Sequence, residues 1–182
     1  MPKHSTLCGF LLLFFVGLTL PGLAQKPILD VGLRLQKTLN LYNENGLSVQ
    51  YSHPTLCYDK LYFGLNYVTS RLGTAINSNA IKQDNFILSG TWMFRPQHVV
   101  RPFVRLNTGY FHADYEYAIF DDLDNTSMLL SPEGGVCIET HLPLKISLSM
   151  GYNVITGNGV NGAGTLFPLY FQTTLSWNVF KK

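Results

Sequence analysis

Eight stretches of about ten residues between Ile28 and Lys182 place apolar side chains at every second position, and one face of nearly every stretch carries no charge. Side chains alternate across a β-strand, so a period of two gathers residues i, i+2 and i+4 on one surface. In the first stretch that surface is Leu29, Val31, Leu33 and Leu35, and in the third it is Leu61, Phe63, Leu65 and Tyr67. The last presents Leu169, Phe171, Leu175, Trp177 and Val179, and only Lys37 puts a charge on the apolar surface. The opposite faces read Gly32, Arg34, Gln36 and Thr38, or Ser147, Ser149, Gly151 and Asn153: mostly small or uncharged polar groups.

Alternation alone does not say which face is inside, because a soluble barrel with an apolar core has the same period. The character of the polar face decides. Soluble domains are roughly 25% charged, whereas this chain is 13% charged, too few charges for a surface that meets water. Gly, Ser, Asn and Thr instead suit the narrow lumen of an eight-stranded barrel, where long side chains have little room. The pattern therefore predicts an all-β fold, an eight-stranded antiparallel up-and-down transmembrane β-barrel with its apolar rows toward lipid. A soluble secreted barrel holding an apolar ligand is the alternative.

Residues 1–24 read as a signal peptide: Lys3 and His4, an apolar run from Phe10 to Leu20, then small residues at Gly22 and Ala24 before Gln25. The run is shorter than the ~20 residues that a spanning helix needs. Residues 25–182 form the barrel domain. Without Lys3 the mature chain holds twelve basic and eleven acidic residues, so nucleic acid is excluded as a partner on electrostatic grounds. Cys57 falls in a turn and Cys137 on a lumen-facing row several strands away, which argues against a disulfide.

The connections run over residues 42–46, 54–60, 71–85, 95–100, 114–127, 141–145 and 155–166. From the second onward, short and long alternate. Consecutive connections of an up-and-down barrel lie at opposite ends, so the long ones gather on one side, as in outer-membrane barrels with short periplasmic turns and longer external loops. The first, Asn43-Glu44-Asn45-Gly46, reads as a compact turn on its Asn-Gly pair. Both termini then fall on the periplasmic side.

The mature region resembles the small eight-stranded outer-membrane barrels of Gram-negative bacteria, of the OmpA transmembrane domain and OmpX type, and the outer-membrane barrel proteins of the Bacteroidota. Its ending, Leu175-Ser176-Trp177-Asn178-Val179-Phe180, is similar to the alternating, aromatic-terminated last strand of that group. The resemblance implies outer-membrane lipid as surroundings and the barrel assembly machinery as the partner during insertion. It brings no functional motif with it.

Charges inside a barrel are costly unless paired. With the fifth and sixth stretches folded about Phe120, Arg101 faces Glu139, Arg105 lies diagonal to Glu133, and Arg34 joins from across the lumen; these five form a structural charge network. A lipid A-modifying enzyme would need a rim triad, for which His112, Asp114, Ser127 and Ser131 are the available groups. No nucleophile elbow accompanies them, so no catalytic residue is assigned. A porin-like role meets a filled lumen at this strand number. The connection over 114–127 carries clustered acids, Asp121, Asp122 and Asp124, interleaved with Tyr115, Tyr117 and Phe120. It lacks the EF-hand frame, so neither a metal nor another cofactor is assigned. Exposed aromatics beside acids are instead material for a binding surface. The reading that follows is a non-enzymatic barrel whose loops contact an external or envelope protein partner.

Overall fold

The computed structural model describes residues 27–38, 42–70, 81–115, 126–156 and 169–180. Nine strand segments run in chain order as β1 (Ile28–Thr38), β2 (Tyr42–Ser52), β3 (Leu61–Thr69), β4 (Ile81–Met93), β5 (Val100–Tyr115), β6 (Thr126–Glu139), β7 (Leu144–Tyr152), β8 (Val154–Thr156) and β9 (Leu169–Asn178). Each pairs antiparallel with its neighbours, β1 with β9 and β5 with β6 included, so the sheet closes on itself. β7 and β8 form one barrel strand interrupted at Asn153, because Glu133↔Gly151 and Leu130↔Val154 keep a single register. The barrel therefore has eight strands.

The stagger can be followed through the paired residues. From Arg34 one path runs through Gly46, Val68, Asn85 and Phe111 to Ser127. The other runs through Thr174 and Ser147 to Cys137, ten residues further along β6. At about 3.3 Å per residue and about 4.8 Å between strands, that offset inclines the strands by about 41° to the axis. Such a tilt lets segments of 9 to 11 residues cross a hydrocarbon layer.

Among the described residues, burial alternates along the long strands in the sense opposite to a soluble protein. Leu65 is 62% exposed and Leu47 56%, while Arg34 is 1% exposed and Glu133 4%. The apolar rows face outward and the polar rows line the lumen, so the soluble barrel with an apolar interior is not the fold. Both lumen ends also hold apolar side chains. Val68, Ile87, Phe111, Ala113 and Leu129 cluster at the end where β5 finishes at Tyr115 and β6 begins at Thr126. Tyr62, Met93, Phe103 and Cys137, backed by Ile28, pack at the end that holds the termini.

Three sequence expectations are corrected. Residues 42–46 are not a turn but the start of β2, with Glu44 opposite Gln36 and Gly46 opposite Arg34. The Asn-Gly signal misled because Gly46 serves a close approach: a Cβ there would lie 2.0 Å from the Tyr67 carbonyl oxygen. The long connections are also shorter than expected. Ile81 to Asn85, Asp114, Tyr115, Thr126, Ser127, Ile155 and Thr156 all lie in strands, since backbone pairing continues where the apolar alternation fades. Finally, the β5–β6 hairpin is displaced, so that Arg105 stands directly opposite Glu133 and Arg101 opposite Cys137. The short turn after β2 matches its expected place, with Cys57, Tyr58 and Asp59 all in left-handed backbone. Cys57 and Cys137 are free thiols, one exposed and the other inside the lumen.

Candidate functional site: a sealed lumen and its rims

The middle of the lumen is organised around one carboxylate. Inward positions of β1, β5, β6 and β9 place Arg34, Arg105, Asn107, Glu133, Tyr170 and Gln172 at one level. Glu133 Oε1 accepts from Arg105 Nη1 at 2.9 Å and Gln172 Nε2 at 3.4 Å. Its Oε2 accepts from Asn107 Nδ2 at 3.0 Å, Tyr170 Oη at 3.3 Å and Arg34 Nη2 at 3.4 Å. Arg105 is fixed further by its Nε donating to Thr91 Oγ1 at 2.7 Å, and it stacks over the Phe103 ring at 4.9 Å. Gly151 makes room for the Tyr170 ring, since a Cβ there would lie 2.2 Å from Cζ.

Two flanking groups extend this centre. Glu44 accepts from Gln36 Nε2 at 2.5 Å and Asn85 Nδ2 at 3.1 Å. Toward the termini, Lys145 Nζ pairs with Asp30 Oδ2 at 2.6 Å, and Arg101 pairs with Glu139 at the mouth. Sequence reasoning missed Glu44, Asp30 and Lys145. Asp30 shares the parity of Arg34 and was legible by counting; Glu44 and Lys145 were hidden inside segments read as turns.

Chemically, this arrangement holds the wall together. A general base needs a free lone pair and a route for substrate, whereas the Glu133 carboxylate is 4% exposed and met by five donors. The space enclosed among Arg105, Asp30, Tyr62 and Lys145 measures about 10 Å³, room for one water at most. Wider openings lie outside it: a vestibule of about 320 Å³ at the termini end, beside Asp59, Arg101 and Glu139, and a trough of about 820 Å³ on the outer wall. That trough runs between two cross-strand rows, Leu47–Tyr67–Phe86–Tyr110 and Val49–Leu65–Leu88–Thr108.

The rim triad does not assemble. His112 and Asp114 point outward and are exposed, while Ser127 and Ser131 are buried in the lumen, with the sheet between them. No group of three or more metal-ligating side chains occurs among the described residues. Of the loop candidates, Tyr115 is the last residue of β5. Tyr117, Phe120, Asp121, Asp122 and Asp124 lie outside the described residues.

A closed, all-antiparallel ring with an apolar exterior and a polar, packed interior defines a transmembrane β-barrel. The chain has the fold of the small outer-membrane barrels of the OmpA and OmpX type. It is similar to the N-terminal β-barrel domain of Pseudomonas aeruginosa OprF at TM-score 0.58 and 11% identity, over 85% of this chain and 98% of that one. A de novo designed transmembrane β-barrel matches at TM-score 0.53 and 13% identity, over 86% and 100% of the two chains. Neisserial surface protein A matches at TM-score 0.50 and 15% identity, over 84% and 92%. No protein-family model and no curated protein sequence matches the chain.

Proposed function

We propose that this protein is a non-enzymatic component of a Gram-negative outer membrane, exported by its signal peptide, whose barrel is an anchor and whose external loops do the work. The carrying observation is the lumen: Arg34, Arg105, Asn107, Tyr170 and Gln172 all donate to the Glu133 carboxylate, and together these side chains fill its centre. An interior of that kind supports neither steady conduction nor catalysis, which leaves the ends of the barrel as the functional surfaces. In this topology the termini are periplasmic and residues 116–125 are external.

The residues of that connection favour it as the contact. β5 stays paired with β4 as far as Ile81↔Tyr115 and with β6 as far as His112↔Thr126, and the sequence between Tyr115 and Thr126 supplies Tyr117, Phe120 and the acids Asp121, Asp122 and Asp124. An adhesive or envelope-complex contact with a protein partner through this surface is the role proposed. The test is deletion of residues 117–124 in the full chain displayed on bacteria. The gel shift between unboiled and boiled samples should persist, because external loops tolerate deletion, while cell aggregation and adherence to a protein-coated surface are lost. Unchanged adherence with the barrel still folded would move the contact to residues 157–164 or the periplasmic turns.

A further inference from the structure

Most charges in the lumen of the described barrel are matched within it, and the outward wall carries others, among them Asp84, Asp114 and Lys37. Glu133 balances Arg34 and Arg105, Asp30 pairs with Lys145, and Glu139 with Arg101. On the outward face of β4, Asp84 Oδ1 accepts from Tyr67 Oη at 2.9 Å and Thr69 Oγ1 at 2.7 Å. Lys37 differs. It is exposed on β1, in register with Asn43 of β2 on one side and Phe171 of β9 on the other, and its side chain makes no hydrogen bond or ion pair among the described residues.

Its surroundings combine anion-binding groups with an apolar ramp. Asn43, also exposed, and the half-buried Asn45 add neutral amides on the adjacent strand. One pleat toward the middle of the wall lie Leu35, 45% exposed, then Leu33 and Leu47, 54% and 56% exposed. An ammonium with amide donors beside it recognises an oxyanion, and leucines directly beneath it accept hydrocarbon. Both features together occur in an anionic lipid. A lysine also snorkels to the headgroup layer unaided, but the amides on β2 and the exposed leucines give this one a surface on which a single lipid can lie.

We propose that Lys37, Asn43 and Asn45 bind the phosphate of an anionic membrane lipid whose acyl chain lies over Leu33, Leu35 and Leu47. The inference rests on the transmembrane reading and names the lipid class that one patch of the wall selects.

The test uses the full chain, folded and purified in a non-ionic detergent, and mixed micelles holding equal amounts of dioleoyl phosphatidylglycerol and dioleoyl phosphatidylcholine. Lipid retained on the protein is read by native mass spectrometry. The wild type should retain phosphatidylglycerol over phosphatidylcholine by about fivefold, the ratio that one lysine near a membrane surface commands. Lys37→Gln should bring the ratio to parity, Lys37→Arg should preserve it, and Lys82→Gln, at the far outer end of β4, should leave it unchanged. Equal retention by the wild type, or a preference that survives Lys37→Gln, overturns the site. Equal loss on Lys82→Gln would mean general surface charge, displacement by inorganic phosphate would mean a free-anion site, and a lipid-free dimer would mean a second copy covers the wall; each overturns the proposal. Failure of the transmembrane reading itself would look different: the chain would stay folded and soluble without detergent.

Discussion

Replacing Glu133 by glutamine keeps the volume and one carbonyl oxygen, but removes the charge that balances two guanidiniums. Arg34 and Arg105 are 1% and 5% exposed, and both direct an Nη at this carboxylate, 3.4 and 2.9 Å away. Arg34 has no second line of support, since its Nε and Nη1 find no partner among the described groups. Stranding buried charge by removing its partner costs about 3–5 kcal/mol, and Glu133→Gln is expected in that range. Arg105→Met should cost less, because Arg34 and Glu133 still neutralise each other. The triple variant Arg34→Met, Arg105→Met, Glu133→Gln should recover part of the loss, with a coupling of roughly 0.5–3 kcal/mol. Urea unfolding in detergent micelles, followed by the gel shift of the folded barrel, measures all of these. Strictly additive losses, or a Glu133→Gln cost below about 1 kcal/mol, would refute the lumen hub.

Other perturbations test the wall and the packing. Leu148→Arg places a charge on the outward face near mid-wall, where Leu148 is 47% exposed, and should cost roughly 2–4 kcal/mol; Lys37→Glu, nearer the rim, should cost little, and equal assembly yields of the two would count against the orientation of the faces. Gly151→Val should displace the Tyr170 ring and destabilise the fold, whereas Gly134→Ala, with nothing within 4 Å of the added carbon, should be neutral in the same urea titration. Planar bilayer recordings should show no large steady conductance; a stable open pore would mean that the charged centre does not seal the lumen.

The alternation of Leu29, Val31, Leu33 and Leu35 and its equivalents was enough to place most strands, because lipid on one side and a narrow lumen on the other impose opposite demands on successive residues. Polar identity also located Arg34, Arg105 and Glu133 on inward rows. What it did not fix was height. The β5–β6 register depends on backbone pairing that passes beyond the apolar belt to Tyr115 and Thr126, so the opposition of Arg105 and Glu133 was not readable from an assumed turn at Phe120. The same limit hid Glu44. A charged residue beside Asn-Gly carries every local mark of a turn, and only Gln36 and Asn85, brought to it by neighbouring and distant strands, make it a lumen residue. Apolar groups inside the lumen, such as Phe111 and Leu129, break the simple rule in the other direction: they close the barrel where lipid-facing partners such as Tyr110 and Met128 continue outside.

The central claim is that the apolar rows face hydrocarbon, and the chain carries its own probes of it. Both of its tryptophans, Trp92 and Trp177, point outward, 37% and 53% exposed. After folding the unmodified protein into vesicles of phosphatidylcholine brominated along the acyl chains, tryptophan emission should fall sharply relative to unbrominated vesicles, and an aqueous quencher such as acrylamide should have little effect. Emission insensitive to the brominated chains but quenched by acrylamide would show that this face meets water, and would contradict the account.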